Sequence, residues 1–291
     1  MTPSNIPRII ANAGPLFEAY DVILSDIWGV VHNGLVAWPG ANDALIRFRQ
    51  RGGTVVLVSN APNPSHQVAR TLDEKGVPRS AWDAIVSSGD LALRRVADES
   101  YTKVHCIGPR DRDRAFFADL RAVDTSLAEA QAIVCTGFVD DRRDTVEQYR
   151  DRLEQGLSRR LPFVCANPDL IVDVGPERLL CAGTLAAAYE ALGGDVYWAG
   201  KPHPVSYATA LARAAELRAS SVPRARVLAI GDAVRTDLAA AAGAGVDALF
   251  VASGIHADET MTRGVIDAVR LATLFTADSP SALAAIDLLR W

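Results

Sequence analysis

The sequence predicts an α/β protein: a doubly wound parallel sheet with a second α/β unit inserted into it. Three observations lead there. Short apolar, β-branched runs alternate with stretches of helical spacing from residue 22 onward, the pattern of buried strands joined by crossover helices. The early runs end in small or hydrogen-bonding residues, 22–24 in Ser25-Asp26, 54–58 in Ser59-Asn60 and 83–86 in Ser87-Ser88-Gly89. A fresh set of strands and helices begins near Lys103 and gives way near Gly194. The expected division is therefore a core of residues 1–100 and 195–291 and an insert of residues 101–194.

Taken in order, the first strand reads as buried on both faces and breaks at Gly29, which brings the Asp26 carboxylate to the sheet's C-terminal edge. Ligands of open parallel sheets bind outside that edge, so Asp26 is either a nucleophile or metal ligand, or a plain turn cap. Residues 41–51 carry Ala44, Leu45 and Phe48 on one helical face and close at Gly52-Gly53. A strand at 54–58, a helix at 65–75 ended by Gly76 and a strand at 83–86 repeat the unit. The insert reads as strand 103–108, charged helix 112–120, strand 132–136, amphipathic helix 145–161 and strand 163–166, followed by Asn167-Pro168-Asp169. An Ala- and Leu-rich helix from Thr184 ends at Gly193-Gly194, and strand 196–199 runs into Gly200-Lys201-Pro202. Helix 205–217 and strand 226–230 lead to Gly231-Asp232, with Asp237 in the first turn of an Ala-rich helix. Strand 247–252, a turn at Gly254 and a terminal helix over 279–291 capped by Ser279 complete the chain.

Composition narrows the function classes. The chain has 291 residues, 49% hydrophobic and 22% charged, enough to bury one large or two moderate cores. No apolar run reaches the ~18 residues of a membrane span, and the N-terminus lacks the pattern of a secretory signal, so the expected compartment is the cytoplasm, with no membrane partner. A net charge of −5 gives no basic footprint for nucleic acid, and Arg142-Arg143 and Arg159-Arg160 read as solvated helix faces. Cys106, Cys135, Cys165 and Cys181 form no CxxC pair and read as reduced core residues. The five histidines are scattered.

Four predicted strand tips carry Asp26, Ser59-Asn60, Lys201, and Asp232 with Asp237. Each residue type has a task in phosphoryl transfer. A carboxylate can attack phosphorus and split a hard hydrolysis into two easier displacements. Two carboxylates brought together repel unless a cation lies between them, and hard oxygen ligands with few protein contributors suit Mg²⁺. Ser59, Asn60 and their backbone N–H groups can hold phosphoryl oxygens, Lys201 can balance charge, and Asp237 can accept from Lys201 or orient metal-bound water.

The motifs LSDIWGV, VLVSN, AGKP and IGDAVRTD, in this order and strand context, resemble the haloacid dehalogenase superfamily of phosphotransferases over nearly the whole chain. The NPD segment, the GKP context and the position of the insert resemble its class IIA branch, and DIWGVVHNG resembles a subgroup of predicted hydrolases. The resemblance implies a Rossmann-like core with an α/β cap, Asp26 as nucleophile, Ser59 as phosphate holder, Lys201 as charge balancer and Asp232 as Mg²⁺ ligand. It implies a small phosphorylated metabolite as substrate, of sugar phosphate, nucleotide or pyridoxal-phosphate type, and makes a homodimer through the cap a further expectation.

One position departs from that pattern. The branch normally has a second Asp two residues after the nucleophile, as general acid and base; here that residue is Trp28. Its metal duty in the family runs through the backbone carbonyl, which a Trp retains, so Trp28 stays in the expected metal set with Asp26 and Asp232. Acid–base help is worth ~10²–10⁴-fold, and its loss predicts slow turnover of esters with poor leaving groups unless another group replaces it. His32 is either that replacement or a flap residue, and Trp28 either stacks a flat substrate or only packs. The return segment 167–183 is where the resemblance places specificity residues: Asp173 and Arg178 offer polar contacts, while Leu170, Ile171 and Val172 either line the site or anchor the cap. The alternative function is a phosphoryl-ligand binder with impaired catalysis that serves in regulation.

Overall fold

Strands buried on both faces need unbroken apolar runs, and the runs at the ends of this chain supply them. The computed structural model describes residues 5–174 and 177–291. By its contacts the chain forms two units, the first made of Met1–Ser59, Ala69–Val86 and Ser206–Trp291, the second of Asn60–Val68 and Ser87–Val205. The sequence-based division placed 60–68, 87–100 and 195–205 with the core.

In the first unit seven strands form one sheet in the order Arg8–Ile9, Ala284–Ile286, Asp247–Val251, Val227–Gly231, Val22–Ser25, Thr54–Ser59, Ala84–Ser87. The pairings from Arg8–Ile9 through Thr54–Ser59 are parallel. Val22–Ser25 and Val227–Gly231 are buried at every position, as central strands covered on two faces must be. The Pro39–Gln50 helix starts with proline in its first turn, where a missing N–H costs nothing, and buries Ala44, Leu45 and Phe48.

The second unit holds a five-stranded parallel sheet in the order Val196–Trp198, Phe163–Cys165, Ala132–Cys135, Lys103–Ile107, Val123–Asp124. Phe138, Tyr149, Leu153, Phe163, Leu185 and Tyr189 pack its core. The Tyr149 hydroxyl accepts from Val139 N–H at 2.8 Å and donates to Asp144, so the ring is buried with its polar end satisfied. All four cysteines are buried and free, and burial pushes the Cys106 and Cys135 thiols up to about 12. No helix among the described residues is long and apolar enough to cross a membrane.

Several elements differ from their expected form. The terminal helix is absent: Ala284–Ile286 is a fully buried strand beside Asp247–Val251, because burial at the sheet outweighs the helix preference of alanine. The helix expected over 145–161 is a tight turn at Val146–Tyr149 followed by a helix at Arg150–Ser158. The charged helix is shorter, Arg114–Asp119. The return segment contains an antiparallel hairpin, Ile171–Val174 with Glu177–Leu180. A helix at Ser88–Asp98, capped by the Ser87 hydroxyl accepting from Asp90 N–H, follows the 84–87 strand.

Candidate active site

Register explains how two distant acids meet. Ile230 lies opposite Ser25 across the parallel pair of strands, and Asp26 N–H donates to Ile230 C=O at 2.8 Å. Asp26 and Asp232 thus leave adjacent strands at the same edge, within a residue of level. Asp237 follows in a wide, π-type turn at Val234–Leu238 rather than in an ordinary first helical turn. Carboxylate oxygens of Asp26, Asp232 and Asp237 lie within 4.8 Å of one another, and among the described residues these are the acidic, His or Cys side chains close enough to share a metal ion.

Three carboxylates in that space are costly by themselves. At about 5 Å and an effective dielectric of about 20, each pair repels by about 3 kcal/mol. The donor set is all oxygen and all anionic, which fits a hard divalent cation such as Mg²⁺ and not a soft one. Asp237 is 1% exposed and Asp232 5%, whereas Asp26 keeps 9% and is the most open of the three.

Glycines make room for this cluster. Gly29 has φ +81°, and a Cβ on it would overlap Asp232 Oδ2; a Cβ on Gly254 would overlap the same oxygen, and one on Gly231 would overlap Asp237. Ile255 N–H donates to Asp232 Oδ2 at 2.8 Å, and Ala233 N–H to Asp237 Oδ2 at 3.2 Å. His256 Nε2 accepts from Val234 N–H at 3.4 Å and its other ring nitrogen meets Glu259, which ties down the loop beyond Gly254. Sequence reasoning read Gly29 and Gly254 only as turns. The signal that could have found more was the pairing of each with an acid-bearing strand tip.

The loop after Asp26 is built around Trp28 and His32. Their rings meet edge to face with centroids 5.4 Å apart, and Gly34, at φ +86°, has no room for a Cβ because the Trp28 indole lies on it. His32 is 3% exposed; its Nδ1 accepts from Gly34 N–H at 2.9 Å, and Lys75 Nζ donates to Gly34 C=O. Burial, reinforced by the Lys75 charge, holds the His32 imidazole well below its usual 6.5, at about 4. With Nδ1 accepting from Gly34 N–H and the charged form disfavoured by burial, His32 is placed to brace the loop after Asp26.

A stability prediction follows from the sign of that shift. The folded state disfavours protonated His32, so its contribution is intact above pH 6.5 and lost as pH falls toward 4, up to roughly 3 kcal/mol. His32→Asn retains an acceptor near Nδ1 and does not titrate. Its melting temperature should fall less than that of the wild type between pH 7 and pH 4.5; parallel pH profiles would contradict the assignment.

The remaining sequence-derived candidates fall as follows. Ser59 ends the Thr54–Ser59 strand of the first unit, next in the sheet to Val22–Ser25. Asn60 and Lys201 belong to the second unit. Asn60, expected to contact substrate, has a fully bonded amide: Nδ2 donates to Lys201 C=O at 3.0 Å and to Asp169 at 2.8 Å, and Oδ1 accepts from Lys201 N–H at 2.8 Å. It therefore fixes the main chain that presents Lys201. Lys201 is 2% exposed. Asp173 sits in the 171–174 strand opposite Arg178, with its side chain outside those described.

Fold and site together define a class: a two-unit parallel α/β protein with a carboxylate cluster at the C-terminal edge of its larger sheet. Comparison with known proteins gives the family. A family model described as haloacid dehalogenase-like hydrolase matches residues 23–122, and a second HAD-like hydrolase model matches 198–275. A solved hydrolase of the haloacid dehalogenase-like family from Brucella suis 1330 is 38% identical with a TM-score of 0.84, over 97% of this chain and 100% of that one. D-glycerol 3-phosphate phosphatase of Mycobacterium tuberculosis is 28% identical over 82% of this chain, and the match spans 65% of that protein's length. Ribonucleotide monophosphatase NagD of Escherichia coli K12 is 24% identical over 80% of this chain and 88% of its own. The chain belongs to the haloacid dehalogenase-like hydrolase family.

Proposed function

We propose that this protein is a Mg²⁺-dependent phosphatase of small phosphomonoesters that works through a phospho-aspartyl intermediate on Asp26. The observation that carries the reading is the convergence of Asp26, Asp232 and Asp237 at one sheet edge. Family membership and the names of the phosphatases it is similar to support it.

In this reading Asp26, Asp232 and the main-chain carbonyl of Trp28 would hold the cation, and Asp237 would orient water beside it. The bound ion would screen the carboxylates from one another and from the incoming phosphate dianion. An Asp26 oxygen forms the new bond to phosphorus while the ester P–O bond breaks. Water then attacks phosphorus, returns the Asp26 carboxylate and releases inorganic phosphate. Ser59 and Lys201 take the roles of holding and neutralising phosphoryl oxygens.

The test is a panel of phosphorylated metabolites and p-nitrophenyl phosphate, assayed with Mg²⁺ and with EDTA. Phosphate release that needs Mg²⁺ is the expected result. Binding of inorganic phosphate without release from any ester would replace the enzyme by a phosphoryl-ligand sensor.

A further inference from the structure

We propose that Asp169 is a positioning residue for Lys201, acting through the Asn60 amide, and that these three residues together set where the Lys201 ammonium stands as phosphoryl charge develops. The proposal rests on the phosphatase reading above and adds a residue to it.

Register brings the partners together. Trp198 lies opposite Cys165 across a parallel strand pair, and Ala199 N–H donates to Cys165 C=O at 3.0 Å. Segments 166–169 and 199–201 therefore leave neighbouring strands at one edge of the second unit's sheet, and the Asn60 side chain bridges them. Its carboxamide spends both hydrogens and its oxygen there. Oδ1 accepts from Lys201 N–H at 2.8 Å, while Nδ2 donates to Lys201 C=O at 3.0 Å and to Asp169 Oδ1 at 2.8 Å. A carboxylate only accepts, so Asp169 rejects the flipped amide, which would set oxygen against oxygen. It also polarises the amide and so strengthens the bond that Oδ1 takes from Lys201.

Asp169 is itself fixed, which a positioning group must be. Asn167 Oδ1 accepts from Asp169 N–H at 3.1 Å, and a Cβ on Gly183 would overlap the carbonyl oxygens of Pro168 and Asp169, so this turn lies directly on the start of the Ala182–Ala191 helix. On the other side, a Cβ on Gly200 would overlap Asn60 Oδ1 and Ser88 Oγ and crowd Pro168. Asn60 and Lys201 are 5% and 2% exposed, so water cannot replace a lost partner easily. Displacing a charge-bearing group by even an ångström weakens its hold on a transition state.

The experiment is steady-state turnover of p-nitrophenyl phosphate with Mg²⁺, together with hydrogen exchange of the Lys201 main-chain N–H in metal-free protein. Asp169→Leu should lower kcat by ~10–100-fold with KM changed by less than about threefold. Asp169→Asn keeps an acceptor oxygen toward Asn60 and should stay within about threefold of wild type. Inhibition by vanadate, which imitates five-coordinate phosphorus, should weaken in step with kcat, and inhibition by inorganic phosphate should not. Exchange at Lys201 should quicken by about tenfold or more in Asp169→Leu and by far less in Asp169→Asn. Asn60→Asp sets two carboxylates against each other and should be slow; adding Asp169→Asn restores a donor between the two positions and should recover about tenfold. If Asp169→Leu misfolds, this swap decides the matter. Wild-type kcat or wild-type Lys201 exchange in Asp169→Leu, or a double variant no faster than Asn60→Asp alone, would overturn the proposal and leave the phosphatase standing. Absence of turnover on every ester would overturn both.

Discussion

Asp26→Asn will remove phosphatase turnover, by roughly 10⁴-fold or more, while the protein stays folded. Asparagine fills the same volume and keeps the backbone N–H that donates to Ile230 C=O, so the strand edge should hold. What disappears is the charged oxygen that, in the proposed reaction, attacks phosphorus, and losing a nucleophile costs far more than losing a contact. Protein quenched during turnover should carry a phosphoryl group on the peptide containing residue 26, and the variant should carry none. A variant with a tenth of wild-type activity and no trapped phosphate in either protein would mean that water attacks the ester directly and that Asp26 serves the metal alone.

Gly254→Ala should disable the site from the bend after the Asp247–Val251 strand. The new methyl group would overlap the Asp232 carboxylate, which lies against Gly254 and takes a hydrogen bond from Ile255 N–H. The bend is tied just before Gly254 by Ala252 and Ser253 N–H donating to Ile286 and Asp287 C=O, and a carboxylate near two other acids cannot give way cheaply. Overpacking of this kind costs about 1–3 kcal/mol of stability. Because Asp232 must move, activity should fall by more than ~10²-fold, with the Mg²⁺ concentration for half-activation raised. Activity and Mg²⁺ response within twofold of wild type would show that the loop yields and that Asp232 has no need of this cradle. A control is available at Gly243, where a Cβ meets nothing: Gly243→Ala should leave both readouts unchanged.

Much of this was legible from residues alone, and the physical reason differs from element to element. The Val22–Ser25 and Val227–Gly231 strands announced themselves because a strand buried on two faces must be apolar throughout, and the acids at their tips broke that rule visibly. The meeting of Asp26 with Asp232 was legible from their places at strand tips, whereas the approach of Asp237 to both appears only in the structure. The strand at Ala284–Ile286 was misread because SALAAIDLL has helical composition, and only the neighbouring Asp247–Val251 strand decides its state. The employment of Asn60 was equally hidden: an amide after a strand looks the same whether it meets a ligand or the main chain of Lys201, 141 positions away. The burial of His32 and the nearby Lys75 charge are set by packing that no local pattern encodes.

The pairing of residues 22–25 with 227–230 has a consequence for how the chain is made. The two halves of the acid cluster are separated by most of the polypeptide, so during synthesis the first strand leaves the ribosome long before its partner exists. Until residues 226 onward emerge, one flank of that nascent hydrophobic strand has no mate and is open to wrong pairings. A stalled chain truncated before that point should bind chaperones and lack metal-dependent protection from proteolysis, and release of some forty further residues should confer both folding and cation response together.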